Sequence, residues 1–169
     1  MTPFEMAGMI IEVQAPIFVV REWHRHRTQS YNELSARYTE LPNLYYVPSI
    51  ERLLAGKQSS KNKQGSMEGF TEVEARWLKQ EIVYASEHSR KAYEWLLERG
   101  LSRELARLVV PVNQYTRMRA SANLRNWTAF LSLRLDESAQ YEIRCYALAV
   151  ADILRGLFPK TMELFDEGI

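Results

Sequence analysis

Cysteine is almost missing from this chain. Its single copy, Cys145, has no partner for an internal disulfide, so a reducing compartment is the expectation. Long apolar runs are missing too: Ala15 to Val20 stops at Arg21 after six residues, against the ~18–20 that a membrane span needs. The start, Met-Thr-Pro-Phe-Glu, lacks the basic segment that opens a signal peptide. A cytoplasmic protein with no membrane partner is therefore expected. Net charge is close to nil, with 22 Lys and Arg against 21 Asp and Glu, so bulk charge does not signal nucleic acid. No internal repeat is present, which excludes a solenoid. What remains, in 169 residues that are 46% apolar and 25% charged, is one globular domain spanning 1–169.

Periodicity sets the class. Met9 to Ala15 alternates and carries β-branched residues, predicting a strand, and Pro16 suits the first position of a short helix ending near Arg25. Thr28 to Pro48 reads as a long ordered loop followed by a short strand at Leu44 to Val47. Gly56 to Gly69, with little to bury, predicts a mobile surface loop, either a lid over a ligand or a solvated spacer. Phe70 to Arg99 has three- and four-residue apolar steps without Pro or Gly, predicting a long helix closed by Gly100. Ser102 opens a short helix that Pro111 stops. A third helix runs from Tyr115 or Ala122 to Leu133. A fourth spans Ala139 to Leu157, with Tyr146, Val150, Ile153 and Leu157 on its stripe and Cys145 in the core. The fold class is α+β, helix-rich with a small antiparallel sheet.

Charge of each sign is unevenly spread. Between Arg103 and Arg134 lie six arginines (Arg103, Arg107, Arg117, Arg119, Arg125, Arg134) and one acid, Glu104. Arg25, Arg27 and Arg37 form an earlier group beside His24 and His26. Lysine is scarce, at six copies. A guanidinium grips phosphate or carboxylate with two parallel N–H bonds, which an ammonium does not. Such a set calls for anionic company: a phosphorylated small molecule, a nucleic acid or an acidic protein, with the first fitting a neutral chain best. His24 and His26 at a two-residue step face apart on a helix and have no nearby Cys or carboxylate at ligand spacing, so no metal site is expected. Ser35 lacks the Gly-x-Ser-x-Gly elbow of a serine nucleophile.

The stretch Arg25-His26-Arg27, seven residues, then Ser35 resembles the signature of the flavin-dependent thymidylate synthases. The flanks agree: Thr2-Pro3-Phe4-Glu5, Ala15-Pro16-Ile17-Phe18-Val19, Ser30 to Ser35, Asn62-Lys63-Gln64-Gly65, Ala106-Arg107, Tyr115-Thr116-Arg117, Asn123 with Arg125, Leu133-Arg134 and Ala139-Gln140 with Glu142. The likeness covers nearly the whole chain. It implies that fold, a homotetramer with active sites at subunit interfaces, and C5 methylation of dUMP to dTMP using FAD, NADPH and 5,10-methylenetetrahydrofolate. It implies cofactor contacts from Thr2, Glu5, Arg25, His26, Arg27, Glu33, Asn123 and Arg125. Nucleotide contacts would come from Glu22, Arg25, Glu33, Leu34, Ser35, Ala36, Arg37, Arg107 and Arg134, with Arg134 the catalytic cation at the N3 side of the uracil.

Three departures stand beside the likeness. Relatives carry a leading segment with a flavin-contacting histidine that has no counterpart here, which implies weaker or differently supplied FAD binding. A nucleotide-touching glutamine is Glu22, which either accepts from ribose hydroxyls or pairs with an arginine. An asparagine near the flavin is Ala129. Glu22 raises a UMP/dUMP methylase of a nucleoside pathway as an alternative. An arginine-rich nucleic-acid-binding protein and a flavoprotein that has lost turnover are the other classes.

Overall fold

A computed structural model of the chain describes residues 2–58, 66–67 and 69–168. After a 3-10 turn at Thr2–Glu5 come β1 (Gly8–Pro16), α1 (Ile17–Trp23), β2 (Ser30–Glu33), α2 (Ile50–Leu54), β3 (Lys57–Gln58) and β4 (Ser66–Met67). There follow α3 (Glu72–Glu98), α4 (Arg103–Ala106) with a 3-10 turn at Arg107–Val109, β5 (Tyr115–Asn123), α5 (Leu124–Arg134), α6 (Tyr141–Leu157) and α7 (Pro159–Asp166). One sheet has the order β1-β5-β2, with β2 antiparallel to β5. The helix-rich α+β class expected from periodicity is the class observed. The chain divides into two compact units, Met1–Val13 with Val19–Glu33 and Arg117–Ile169, and Gln14–Phe18 with Leu34–Thr116.

In the first unit β5 corrects the reading that begins a helix at Tyr115, while the other expected start, Ala122, lies two residues before α5. The segment alternates with period two: Met118, Ala120 and Ala122 are buried while Arg117 and Arg119 are exposed. Arg119 pairs outward with Glu12 at 2.9 Å. β2 falls inside the expected loop, where periodicity gives no strand; it registers Ser30 on Ser121 and Glu33 on Met118. Pro16 closes β1 instead of opening the helix, so α1 starts at Ile17 and stops at Trp23, two residues short of Arg25. The core gathers Trp23, Trp127, Phe130, Leu131, Ile143, Ala147, Leu154 and Met162. Trp23 stacks on Phe130 at 4.7 Å, and Trp127 donates its indole N–H to the Met9 carbonyl at 3.0 Å. Burying aromatic pairs of this kind stabilises the unit by more than area alone.

α6 turns inward a face that meets the expected stripe only at Val150 and half-buried Tyr146. Ile143, Ala147, Val150, Ala151 and Leu154 are buried, while Ile153 and Leu157 are exposed. Cys145 is exposed too, which corrects its placement in the core. Two residues beyond Ile143 is about 200° around a helix, so the thiol points away from the buried stripe. α7 is an addition to the expected elements; Phe158 and Pro159 break α6 and start a second helix packed on it.

In the second unit α3 has the cap its sequence encodes. Thr71 accepts from the Glu74 backbone N–H and Glu74 accepts from that of Thr71, a reciprocal capping box. Its far end closes on Gly100 at φ +80°, with Gly100 N–H on Leu97 O and Leu101 N–H on Leu96 O. The expected strand at Leu44 to Val47 is reduced to one bridge, Tyr45 to Gln114. Buried Gln114 and half-buried Asn113 hold that segment, the latter donating to Tyr46 O and Ser86 Oγ, both at 2.9 Å. Ser102 precedes α4 without a side-chain capping bond. Of the expected loop at 56–69, the flanks pair antiparallel as β3 and β4. Residues 59–65 and 68, including the Asn62-Lys63-Gln64-Gly65 segment, lie outside the described residues.

Candidate functional site

The Arg-His-Arg segment leaves α1 as a series of tight turns. Arg25 N–H bonds Glu22 O at 3.3 Å, His26 N–H bonds Trp23 O at 3.0 Å, and Gln29 N–H returns to His26 O at 3.2 Å. This winding exposes Arg25 and Arg27 and turns His26 part-way inward. Tyr31 on β2 fixes the turn from below: its hydroxyl is 3.0 Å from the Trp23 carbonyl and 2.8 Å from that of His26. Burial pushes the Tyr31 phenol up to about 12, so it stays a donor. The His26 ring meets the edge of Phe130 at 4.8 Å.

Arg134, the last residue of α5, reaches the same place, with its side chain only 14% exposed. Its Nε donates to His26 Nε2 at 2.8 Å, its Nη1 donates to Glu22 Oε1, and its Nη2 lies 3.4 Å from the Glu22 carbonyl. Burial, and then the Arg134 charge, hold the His26 imidazole below its ordinary 6.5, with Glu22 pulling the other way. A neutral imidazole beside a half-buried ion pair is the result. Glu22 thus meets an arginine, as one of its two readings has it.

The other expected residues of this unit lie around α5. Asn123 caps that helix by accepting from Asn126 N–H at 2.9 Å, and Arg125 in the first turn pairs with Glu5 of the Thr2–Glu5 turn. That turn packs on α5. Glu33 ends β2 exposed, and Ala129 is exposed on α5. Among the described residues no acid pairs with Arg25, Arg27 or Arg117. Arg25 and Arg27, exposed on either side of the neutral His26 imidazole, are donors suited to the pyrophosphate and ring edge of a flavin dinucleotide.

In the second unit the expected nucleotide contacts form their own group. Ser35 Oγ accepts from Arg37 N–H at 3.4 Å, and the Ser35 carbonyl accepts from Tyr38 and Thr39 N–H. Arg37 meets Glu104 at 3.5 Å while Arg107 Nε donates to the Glu104 carbonyl at 3.3 Å, so both guanidinium groups converge on one short helix. Leu34 and Ala36 flank Ser35, half-buried. Tyr31 and Phe130 are site residues that the sequence reading does not include; Tyr31 lies inside the recognised segment, and only its spacing from His26 marks it.

A family model described as thymidylate synthase complementing protein matches residues 1–160. The flavin-dependent thymidylate synthase of Wolbachia pipientis wMel is 42% identical over 166 residues, 98% of this chain and 58% of that protein. Its counterpart from Thermus thermophilus is 42% identical over 168 residues, 99% of this chain and 60% of that protein. A UMP/dUMP methylase from Streptomyces cacaoi bound with 5-Br dUMP superposes with a TM-score of 0.88 at 36% identity, covering 98% of this chain and 73% of that one. Fold and sequence agree, and the chain belongs to the thymidylate synthase complementing protein family, that of the flavin-dependent thymidylate synthases. It spans 58–60% of the length of the two thymidylate synthases compared.

Proposed function

We propose that the chain is a single catalytic domain of a cytoplasmic, flavin-dependent methyltransferase that converts dUMP to dTMP. Its carbon donor is 5,10-methylenetetrahydrofolate, its cofactor FAD, and its electron source NADPH. The carrying observation is the convergence of the Arg25-His26-Arg27 turn with Arg134 in one half-buried cluster. Arg25, His26 and Arg27, with Thr2, Glu5, Glu33, Asn123 and Arg125, hold the flavin. Glu22, Arg25, Glu33, Leu34, Ser35, Ala36, Arg37, Arg107 and Arg134 hold the nucleotide.

Uracil C5 is a weak nucleophile, and it attacks only when electron density is pushed to it from the N3–C4–O4 side, as when N3 is ionised and negative charge lies there. A cation already fixed there stabilises that charge without reorganising, and a site shielded from water strengthens the effect. Arg134 has both properties: two side-chain partners and little exposure. The transferred carbon arrives as a methylene and leaves as a methyl, a two-electron reduction for which a reduced flavin held by these residues would supply the hydride. The C5 proton goes to solvent. Exposed Cys145 has no part in this scheme.

The assembly is a homotetramer with sites shared between subunits. Large apolar side chains left exposed on α3 and the turn after α4, Trp77 at 69% and Leu108 at 77%, supply surface for that association. No described helix is long and apolar enough to cross a membrane.

A second substrate is favoured by a specific observation. The Streptomyces cacaoi methylase, named for both UMP and dUMP, superposes in its 5-Br UMP complex with a TM-score of 0.89. UMP is accordingly the alternative nucleotide, and parallel turnover with the two decides it.

The test of the cofactor is direct. The purified protein should be yellow, or become so with FAD, and FAD should raise its melting temperature. A colourless chain that FAD neither binds nor stabilises overturns the reading.

A further inference from the structure

Two side chains of this protein hold the Arg134 guanidinium from different edges. Glu22 Oε1 takes Nη1, and His26 Nε2 accepts from Nε at 2.8 Å. A ring nitrogen accepts a hydrogen bond only when it carries no proton, so the contact sets the tautomer: the proton is on Nδ1 and the ring is neutral. Phe130 packs against the ring in a T-shaped pair, centroids 4.8 Å apart, and Tyr31 anchors the His26 carbonyl at 2.8 Å. The ring is thus held in plane and in place.

We propose that His26 and Glu22 form a two-point clamp that positions Arg134 for the uracil ring, with His26 serving as a neutral acceptor. This rests on the reading of Arg134 as the substrate-facing cation. His26 is on this account a positioning residue for Arg134 as well as a wall of the flavin site. The charged and titratable groups around it are Arg134 from α5, Glu22 from α1, Arg25 and Arg27 on either side, and the Tyr31 hydroxyl from β2. Protonating the ring would remove the acceptor and set a second cation against Arg134, with only the Glu22 carboxylate and carbonyl left to hold it. Glu22 has the complementary duty of keeping the guanidinium's charge partly matched before a nucleotide arrives.

Nitrogen-15 spectra of histidine-labelled full-length protein test the clamp without substrate, with His26 assigned by its through-space contact to Phe130. The expected signature near pH 7 is a neutral Nδ1–H ring titrating below 6.5, and titrating lower still in Glu22→Gln. An Nε2–H tautomer, or an imidazolium at pH 7, overturns the clamp. The second arm measures binding of 5-bromo-dUMP between about pH 5 and 8 for the native chain and His26→Gln. A glutamine amide oxygen reaches the Nε2 position but does not titrate. Below the pH at which the His26 ring takes its proton, the native chain should lose up to about tenfold more affinity per pH unit than the variant, because the phosphate's own ionisation is common to both. Identical profiles across the pH at which the labelled His26 ring is seen to protonate overturn the proposal. A native chain that shows the Nδ1–H ring yet binds no 5-bromo-dUMP sinks the nucleotide reading and supports the clamp.

Discussion

The Tyr31 hydroxyl donates to the His26 carbonyl at 2.8 Å, so a four-residue strand carries the strut beneath the Arg-His-Arg turn. Tyr31→Phe removes that donor and leaves the Trp23 and His26 carbonyls with their backbone N–H partners alone. The expected loss is about 1 kcal/mol in denaturant unfolding. The same substitution should alter the alkaline limb. The native phenol is raised from 10.0 to about 12, so its contribution is complete below pH 10 and fades as pH climbs toward the folded value. Tyr31→Phe should show a shallower alkaline loss than the native chain.

On the acid side His26 acts with the opposite sign. Its folded pKa lies below 6.5, so the unfolded chain binds more protons just under that pH. Stability from this group is complete above 6.5 and is lost as pH falls through the folded value. Urea midpoints taken across that window should decline less in His26→Gln than in the native chain.

Asn123 separates a structural duty from a proposed ligand duty. Its side chain caps α5, and Asn123→Ala should cost about 1 kcal/mol. Asn123→Ser keeps a capping oxygen and should restore most of that stability. If the amide also meets FAD, the serine variant will fold normally and bind FAD more weakly. Native-like FAD affinity in Asn123→Ser would remove the residue from the cofactor site.

Arg25 and Arg27 give the converse pattern. Both are exposed and, among the described residues, meet no acid, so alanine at either should move stability by no more than about 0.5 kcal/mol. FAD affinity should fall at least about tenfold, the loss of one charge-assisted contact. A stability loss without a change in FAD binding would recast these arginines as structural.

Phe130 ties the core to the site, touching Trp23, Trp127 and His26 at once. Phe130→Ala should lose about 3–5 kcal/mol and release the His26 ring. Phe130→Leu should recover stability more fully than nucleotide affinity, as read by calorimetric titration.

Local grammar is legible in this chain and long-range grammar is not. α3 declares itself through an uninterrupted helical period, with Thr71 and Gly100 at its ends. β5 reads as helix because alanine and arginine are good helix formers, although Thr116, Met118, Ala120 and Ala122 alternate inward at a period of two. β2 is four residues of polar sequence, held in place by its pairing with β5 and not by any pattern of its own. The expected stripe of α6 follows its larger side chains and is right at Val150, yet Ala147 and Ala151 are buried while Ile153 and Leu157 are exposed, because close helix packing favours small residues. At the site, the Arg-His-Arg motif is visible as a string. The contact of Arg134 with Glu22 joins positions 112 residues apart, and no local spacing announces it.

Tritium release from 5-tritiated dUMP, in the presence of FAD, NADPH and 5,10-methylenetetrahydrofolate, tests the central claim most directly. The native chain should release tritium in step with dTMP formation, and Arg134→Ala should lower the rate by about a hundredfold or more, roughly 2.7 kcal/mol of transition-state stabilisation. A FAD-loaded native protein that releases no tritium from either dUMP or UMP, or an Arg134→Ala variant as fast as the native chain, would contradict the account.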